Sequence, residues 1–216
     1  MKLILKLTTI ILVVGFFTSC QNAPKGEKAV TKAAETVTKK AASQTFKVSN
    51  FPGINWTGSK IGGSHNGTLT VTDGTINANN GKVVGGKITI DMNSLICKDL
   101  EAGKGKEKLE GHLKSADFFD VANNPTSTFE ITKVTDGANG QSNVTGNLTM
   151  MGVTKSITFP AQIEFGEGAI SVTSADFTIN RTDFGMKYGS ASFFDDLKDK
   201  AINDEVGLKI GLKARL

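Results

Sequence analysis

The sequence predicts an all-β fold, a single antiparallel β-barrel with one or two short helices near a barrel end. Three observations point there. After residue 44 the composition shifts to Thr, Gly, Val, Ile, Asn and Phe. Turn signals then recur roughly every eight to twelve residues. Apolar and polar residues alternate with period two in several segments, as in strands with one face buried and the other wet.

The amino terminus reads as a targeting segment. Lys2 and Lys6 precede the apolar run Leu7–Phe17, which is too short to span a bilayer comfortably and fits a secretory signal peptide over residues 1–19. The run ends in Phe17-Thr18-Ser19-Cys20, which is similar to the lipobox of bacterial lipoproteins. That resemblance implies cleavage before Cys20 and a diacylglycerol on its sulfur. Further acylation at the new amino terminus would supply enough chains for stable anchoring. Gln21, not aspartate, follows Cys20, which by resemblance to enterobacterial sorting favours the outer membrane, with the domain facing the periplasm.

Residues 20–43 read as the lipidated cysteine and a flexible linker. The segment is rich in Ala, Lys and Thr and has no aromatic residue. Its stripe of Val30, Ala33, Val37 and Ala41 is too thin to hold more than a transient helix. The linker also explains the charge. The net charge is +4, yet Lys2 and Lys6 lie in the leader and residues 21–43 carry five lysines against Glu27 and Glu35. Residues 44–216 are left with a single net negative charge. The folded part therefore lacks the electrostatic footprint of a nucleic-acid binder.

Within residues 44–216, Ile88, Ile90 and Met92 alternate with polar neighbours, as do Ile157, Phe159, Ala161, Ile163 and Phe165. The last strand is the cleanest, with Leu208, Ile210, Leu212, Ala214 and Leu216 on one face. A phase shift between Val172 and Ala175 predicts a bulge. Asp73-Gly74, Asn80-Gly81, Asp136-Gly137 and Asn139-Gly140 supply turn residues that tolerate positive φ. Pro160 needs an edge, or a position where no ladder donor is required. A helix is expected over residues 104–116, with Leu109, His112 and Leu113 on one face, and a second short one near Phe193–Lys198. About 170 residues suffice for one domain with a sizeable core and are too few for two.

Four stretches, taken together, resemble the YceI-like family: HLKSADFFDVANNPTSTFEITKV (residues 112–134), SHNGTLTV (64–71), VTGNLTMMGVTKSITFP (144–160) and FTINRTDFGM (177–186). The opening TFKVSNFPGINWTGSKIGG and the ending INDEVGLKIGLKA depart from the usual pattern. The resemblance implies a lipocalin-like barrel over residues 44–216, with a tunnel for a long isoprenoid or fatty-acyl chain. It implies no cofactor and no catalysis. A lipid and, through Cys20, the membrane are the implied partners, and a homodimer stays open.

Candidate ligand-binding residues follow from position. Phe118 and Phe119 lie beside the expected helix, where they either line the tunnel or plug its end. Phe177, Ile179 and Phe184 are expected in the wall. Arg181 could hold a phosphate or carboxylate head group, but a structural ion pair with Asp183 or Asp120 is the preferred reading. In a β context Arg181 and Asp183 would point to the same side. His65 and His112 are the only histidines, and no carboxylate or thiol stands near either at ligand spacing. Cys97 is the only cysteine besides Cys20 and reads as a small buried apolar residue. The sequence shows no phosphate loop, nucleophile elbow or helical zinc motif. The competing readings are a scaffold module whose core is solid and an envelope enzyme acting on a lipid.

Overall fold

The computed structural model describes residues 24–49 and 51–216. The signal peptide (1–19) and Cys20 lie outside the described residues. Among the described residues, twelve strands form one sheet: β1 (Glu27–Lys28), β2 (Val30–Ala33), β3 (Gln44–Val48), β4 (Phe51–Lys60), β5 (Gly63–Asn79), β6 (Lys82–Cys97), β7 (Thr126–Asp136), β8 (Ser142–Met150), β9 (Val153–Gly166), β10 (Ala169–Ser174), β11 (Phe177–Asn180) and β12 (Glu205–Arg215). One helix, α1 (Lys106–Lys114), lies between β6 and β7.

The sheet corrects the expected single antiparallel lipocalin-like barrel. Its path runs β1-β11-β12-β10-β9-β8-β7-β6-β5-β3, with β2 on β9 and β4 between β12 and β5 as branches. It is mixed, because β1 pairs with β11 in parallel. β12 serves four neighbours: its first half meets β11 and β4, and its second half meets β10 and β3. The result is one branched sheet curled over an apolar interior.

Two short strands, β1 at the head of the path and the branch β2, come from the segment expected to be a flexible linker. Asn147 fixes the chain beyond them. Its amide oxygen accepts from Glu35 N–H at 2.9 Å, and its amide nitrogen donates to the Glu35 carbonyl at 2.7 Å. The side chain thus copies a strand's pair of hydrogen bonds. A thin apolar stripe could not support a helix, but two- and four-residue strands need only an exposed edge to join.

Local chemistry explains most boundaries. The β5–β6 hairpin turns on Asn80 (φ 49°) and Gly81 (φ 70°), the positive-φ pair of a tight hairpin. The β8–β9 hairpin uses Met151 and Gly152 in the same way. Asp73-Gly74 is not a turn. It lies inside β5, where the register with β6 slips between Val71 and Asp73, so the pair bends a long strand. The shift expected after Val172 is a break, with Ala175 and Asp176 separating β10 from β11. Pro160 pairs with β8 through Asn143, while its other side lies between the end of the β2 pairing at Thr158 and the start of the β10 pairing at Ala161. It therefore sits where no donor is needed. α1 is shorter than expected, and only a single 3-10 turn, Lys198–Lys200, forms near the second helical site.

Candidate functional site: an apolar cavity with a polar end

The inward faces of the strands do not meet in the middle. They surround a cavity of about 370 Å³, within the range of small-molecule sites. Its wall draws on β4 to β12 and α1 and is almost wholly apolar. Period two explains this. Ile88, Ile90 and Met92 on β6, Ile157 and Phe159 on β9, and Leu208, Ile210 and Leu212 on β12 all face it, as the alternation predicts. Phe159 stacks on Phe177 with ring centroids 4.6 Å apart, and Phe129 adjoins Phe159 at 5.6 Å. These three rings form an aromatic strip along the wall.

Apart from Ser127 on β7, the polar lining residues gather at one end, where Arg181 bonds to Asn203. Ser59, Lys60, Ser64 and His65 come from the β4–β5 hairpin, His112 from α1 and Asn203 from the segment before β12. Lys60 and Ser64 are exposed, so the cavity reaches solvent there. Trp56 lines the wall nearby. Its indole N–H is buried and has no hydrogen-bond partner among the described residues.

Five of the six expected ligand-binding residues border the cavity: Phe118, Phe119, Phe177, Ile179 and Arg181. Phe184 does not; it is fully buried in the core beside them. Phe118 packs on His112, with ring centroids 5.0 Å apart, and both rings touch the exposed Tyr188.

Arg181 is 2% exposed, and four of its five guanidinium N–H groups are engaged by the protein. It donates to the carbonyls of Asn203 (3.0 Å), Met186 (2.8 Å) and Ile202 (3.1 Å), and to Asp204 Oδ1 (3.2 Å). Burial lowers its pKa from the ordinary value, and Asp204 partly offsets this. Arg181 thus forms an ion pair with Asp204, not with the Asp183 or Asp120 that the sequence suggested. Residues Arg181–Phe184 form a 3-10 turn, so the shared side expected of Arg181 and Asp183 in a strand does not occur.

The histidines are less isolated than the linear spacing predicts. His65 Nδ1 lies 2.8 Å from Asp99 Oδ2, and the Cys97 thiol donates to Asp99 Oδ1 at 3.2 Å. His112 Nε2 lies 2.9 Å from Asp117 Oδ2. Strand pairing explains the first group. Gly67 pairs with Cys97 across β5 and β6, which brings position 65 beside position 99. The signal was present in the sequence only as period two around an unknown register.

Residues 29–214 match the YceI-like domain. A UPF0312 protein of Pseudomonas aeruginosa is 42% identical over 107 residues, which cover 47% of this chain and 51% of that protein. The chain thus spans about half the length of that relative. A UPF0312 protein of Pseudomonas putida is 34% identical over 141 residues, 62% of this chain and 70% of that one. Among solved structures, Burkholderia cenocepacia BcnA has a TM-score of 0.58 at 20% identity, covering 75% of this chain and 95% of that chain. A polyisoprenoid binding domain from Saccharophagus degradans, implicated in plant cell wall breakdown, has a TM-score of 0.56 at 17% identity, with coverages of 81% and 95%. At these identities the structures speak for the fold alone, while the domain match covers most of the chain, which belongs to the YceI-like family.

Proposed function

We propose that this protein binds a long apolar lipid, a polyisoprenoid or fatty-acyl chain, inside the curled sheet and carries or buffers it in the cell envelope. The supporting observation is the apolar cavity of about 370 Å³ that opens at the α1 end. Each methylene moved from water to such a wall contributes about 0.8 kcal/mol. A tail with about ten buried carbons retains several kcal/mol after ordering costs. The wall offers little polar chemistry to a ligand. Arg181 is committed to Asp204 and three carbonyls, which leaves the Trp56 N–H and the hairpin-tip residues to meet a head group.

Homology to the YceI-like and UPF0312 proteins supports a non-enzymatic assignment. The polyisoprenoid binding of the Saccharophagus domain agrees with the ligand class proposed here. In this reading the signal peptide exports the chain and a lipid on Cys20 tethers it, so that the domain works in the periplasm beside a membrane. The scaffold alternative calls for a solid interior, which the cavity disfavours.

Protein isolated without denaturant tests the proposal. Extraction into organic solvent should release a long-chain lipid at close to one per protein. Identical intact masses under native and denaturing conditions would count against it.

A further inference from the structure

From the junction of β5 and β6 we infer a second site: His65, Cys97 and Asp99 form a binding site for a divalent transition metal of the zinc class. One ligand atom from each residue lies within 4.8 Å of the others. Tetrahedral zinc with N, O and S donors sets those atoms roughly 3.3–3.8 Å apart, so small side-chain rotations close the shell. Three protein ligands leave the fourth position to water, as in zinc sites that stay open.

Several features of this corner favour a metal over a mere hydrogen-bond cluster. The donor set is mixed nitrogen, sulfur and oxygen, which zinc accepts and magnesium or calcium does not. Cys97 is fully buried, so its sulfur has little hydration to lose on binding. Asp99 and His65 are partly exposed and leave a path for the ion from solvent. The ligands are also held from behind. Asn66 N–H donates to Asp99 Oδ1 at 2.8 Å, and Cys97 N–H donates to Glu110 Oε1 at 2.7 Å. Such supporting bonds orient metal ligands and raise affinity.

The charges balance. On binding, the Cys97 thiol loses its proton to solvent, and His65 presents the Nδ1 lone pair with its proton on Nε2. One thiolate and one carboxylate then neutralise the dication. The hydrogen bonds from Cys97 Sγ and His65 Nδ1 to Asp99 give way to metal bonds. His65 also lines the cavity, which places the metal at its polar end. The site stands apart from the lipid reading, since its three ligands bind whether or not the cavity is filled.

The test uses the protein isolated from cells expressing the full chain, stripped with a chelator and titrated with Co²⁺ and then Zn²⁺. The expected result is one Co²⁺ per protein with a thiolate-to-cobalt charge-transfer band, and displacement of that Co²⁺ by Zn²⁺. Cys97→Ser should abolish the band, and Asp99→Asn should weaken binding on the order of tenfold or more. Should Cys97→Ser fail to fold, His65→Ala, at a half-exposed position, carries the same test. Failure of the stripped protein to give the band, or binding unaltered by Cys97→Ser and His65→Ala, would overturn the site. Neither outcome bears on lipid extraction, so the two readings fail separately.

Discussion

The two ends of the sheet's interior are built from the same alternating strands yet do opposite things. Away from α1, Phe46, Val48, Ala78, Val83, Ala161, Ile170 and Ala214 are buried, and none of them borders the cavity. That end is plugged. Toward α1 four of those strands present Val71 on β5, Ile90 and Met92 on β6, Ile157 on β9 and Val172 on β10, which are also buried but face a void. Both ends have an apolar lining. They differ in how far the wall closes in, which here depends on small residues and one phenylalanine at the plug. Protein interiors are normally close-packed, so a void kept open beside a filled end is a costly feature unless something occupies it.

The largest effect is expected at the plug, where Phe46→Ala should lose about 3–5 kcal/mol of stability, because a close-packed site loses both transfer energy and contacts. Chemical denaturation measures this, and a loss below 1 kcal/mol would mean that the end is not plugged. Arg181→Met comes next, at about 3–5 kcal/mol or somewhat less, since it leaves Asp204 and three carbonyls beside the polar end of the cavity without their donor. If the refolded variant still carries lipid, Arg181 acts as a clamp on the loop and not as a head-group anchor.

Gly67→Ala sharpens the contrast from the cavity side. A Cβ at that position would stand 1.9 Å from the Ile96 carbonyl oxygen and 2.6 Å from the Trp56 ring. The strand pair must shift, and a loss of about 1–3 kcal/mol is expected, as for overpacking. The smallest effect is expected at the docked amino-terminal segment. Asn147→Ala removes two hydrogen bonds to Glu35 and should cost about 1–2 kcal/mol. Hydrogen exchange at residues 30–35 should quicken before the rest of the sheet responds.

The strand pattern was legible because period two survives wherever one face is buried: Ile88, Ile90 and Met92 face inward as read. Topology was less legible. The alternation of Leu208 to Leu216 does not disclose that β12 pairs with four neighbours, nor does the polar segment at residues 27–33 show that it will add strands. Pairing in those places depends on which edges stay exposed after the long strands have assembled, which is a property of the whole sheet. Along the candidate site, Phe118, Phe119, Phe177 and Ile179 could be found from their motifs. The grouping of His65 with Cys97 and Asp99 could not, because it rests on a register set 34 residues apart across a sheet with several slips.

Occupancy of the hollow end is measured by comparing wild-type protein with Leu148→Trp, which puts an indole into that end and leaves the plug intact. Lipid extracted per mole of folded protein is the quantity to measure. A hollow interior that holds an acyl or isoprenoid chain should give near-stoichiometric lipid from the wild type and several-fold less from the variant, with stability changed by no more than about 1–3 kcal/mol. Equal lipid in both, or none in either, would contradict it.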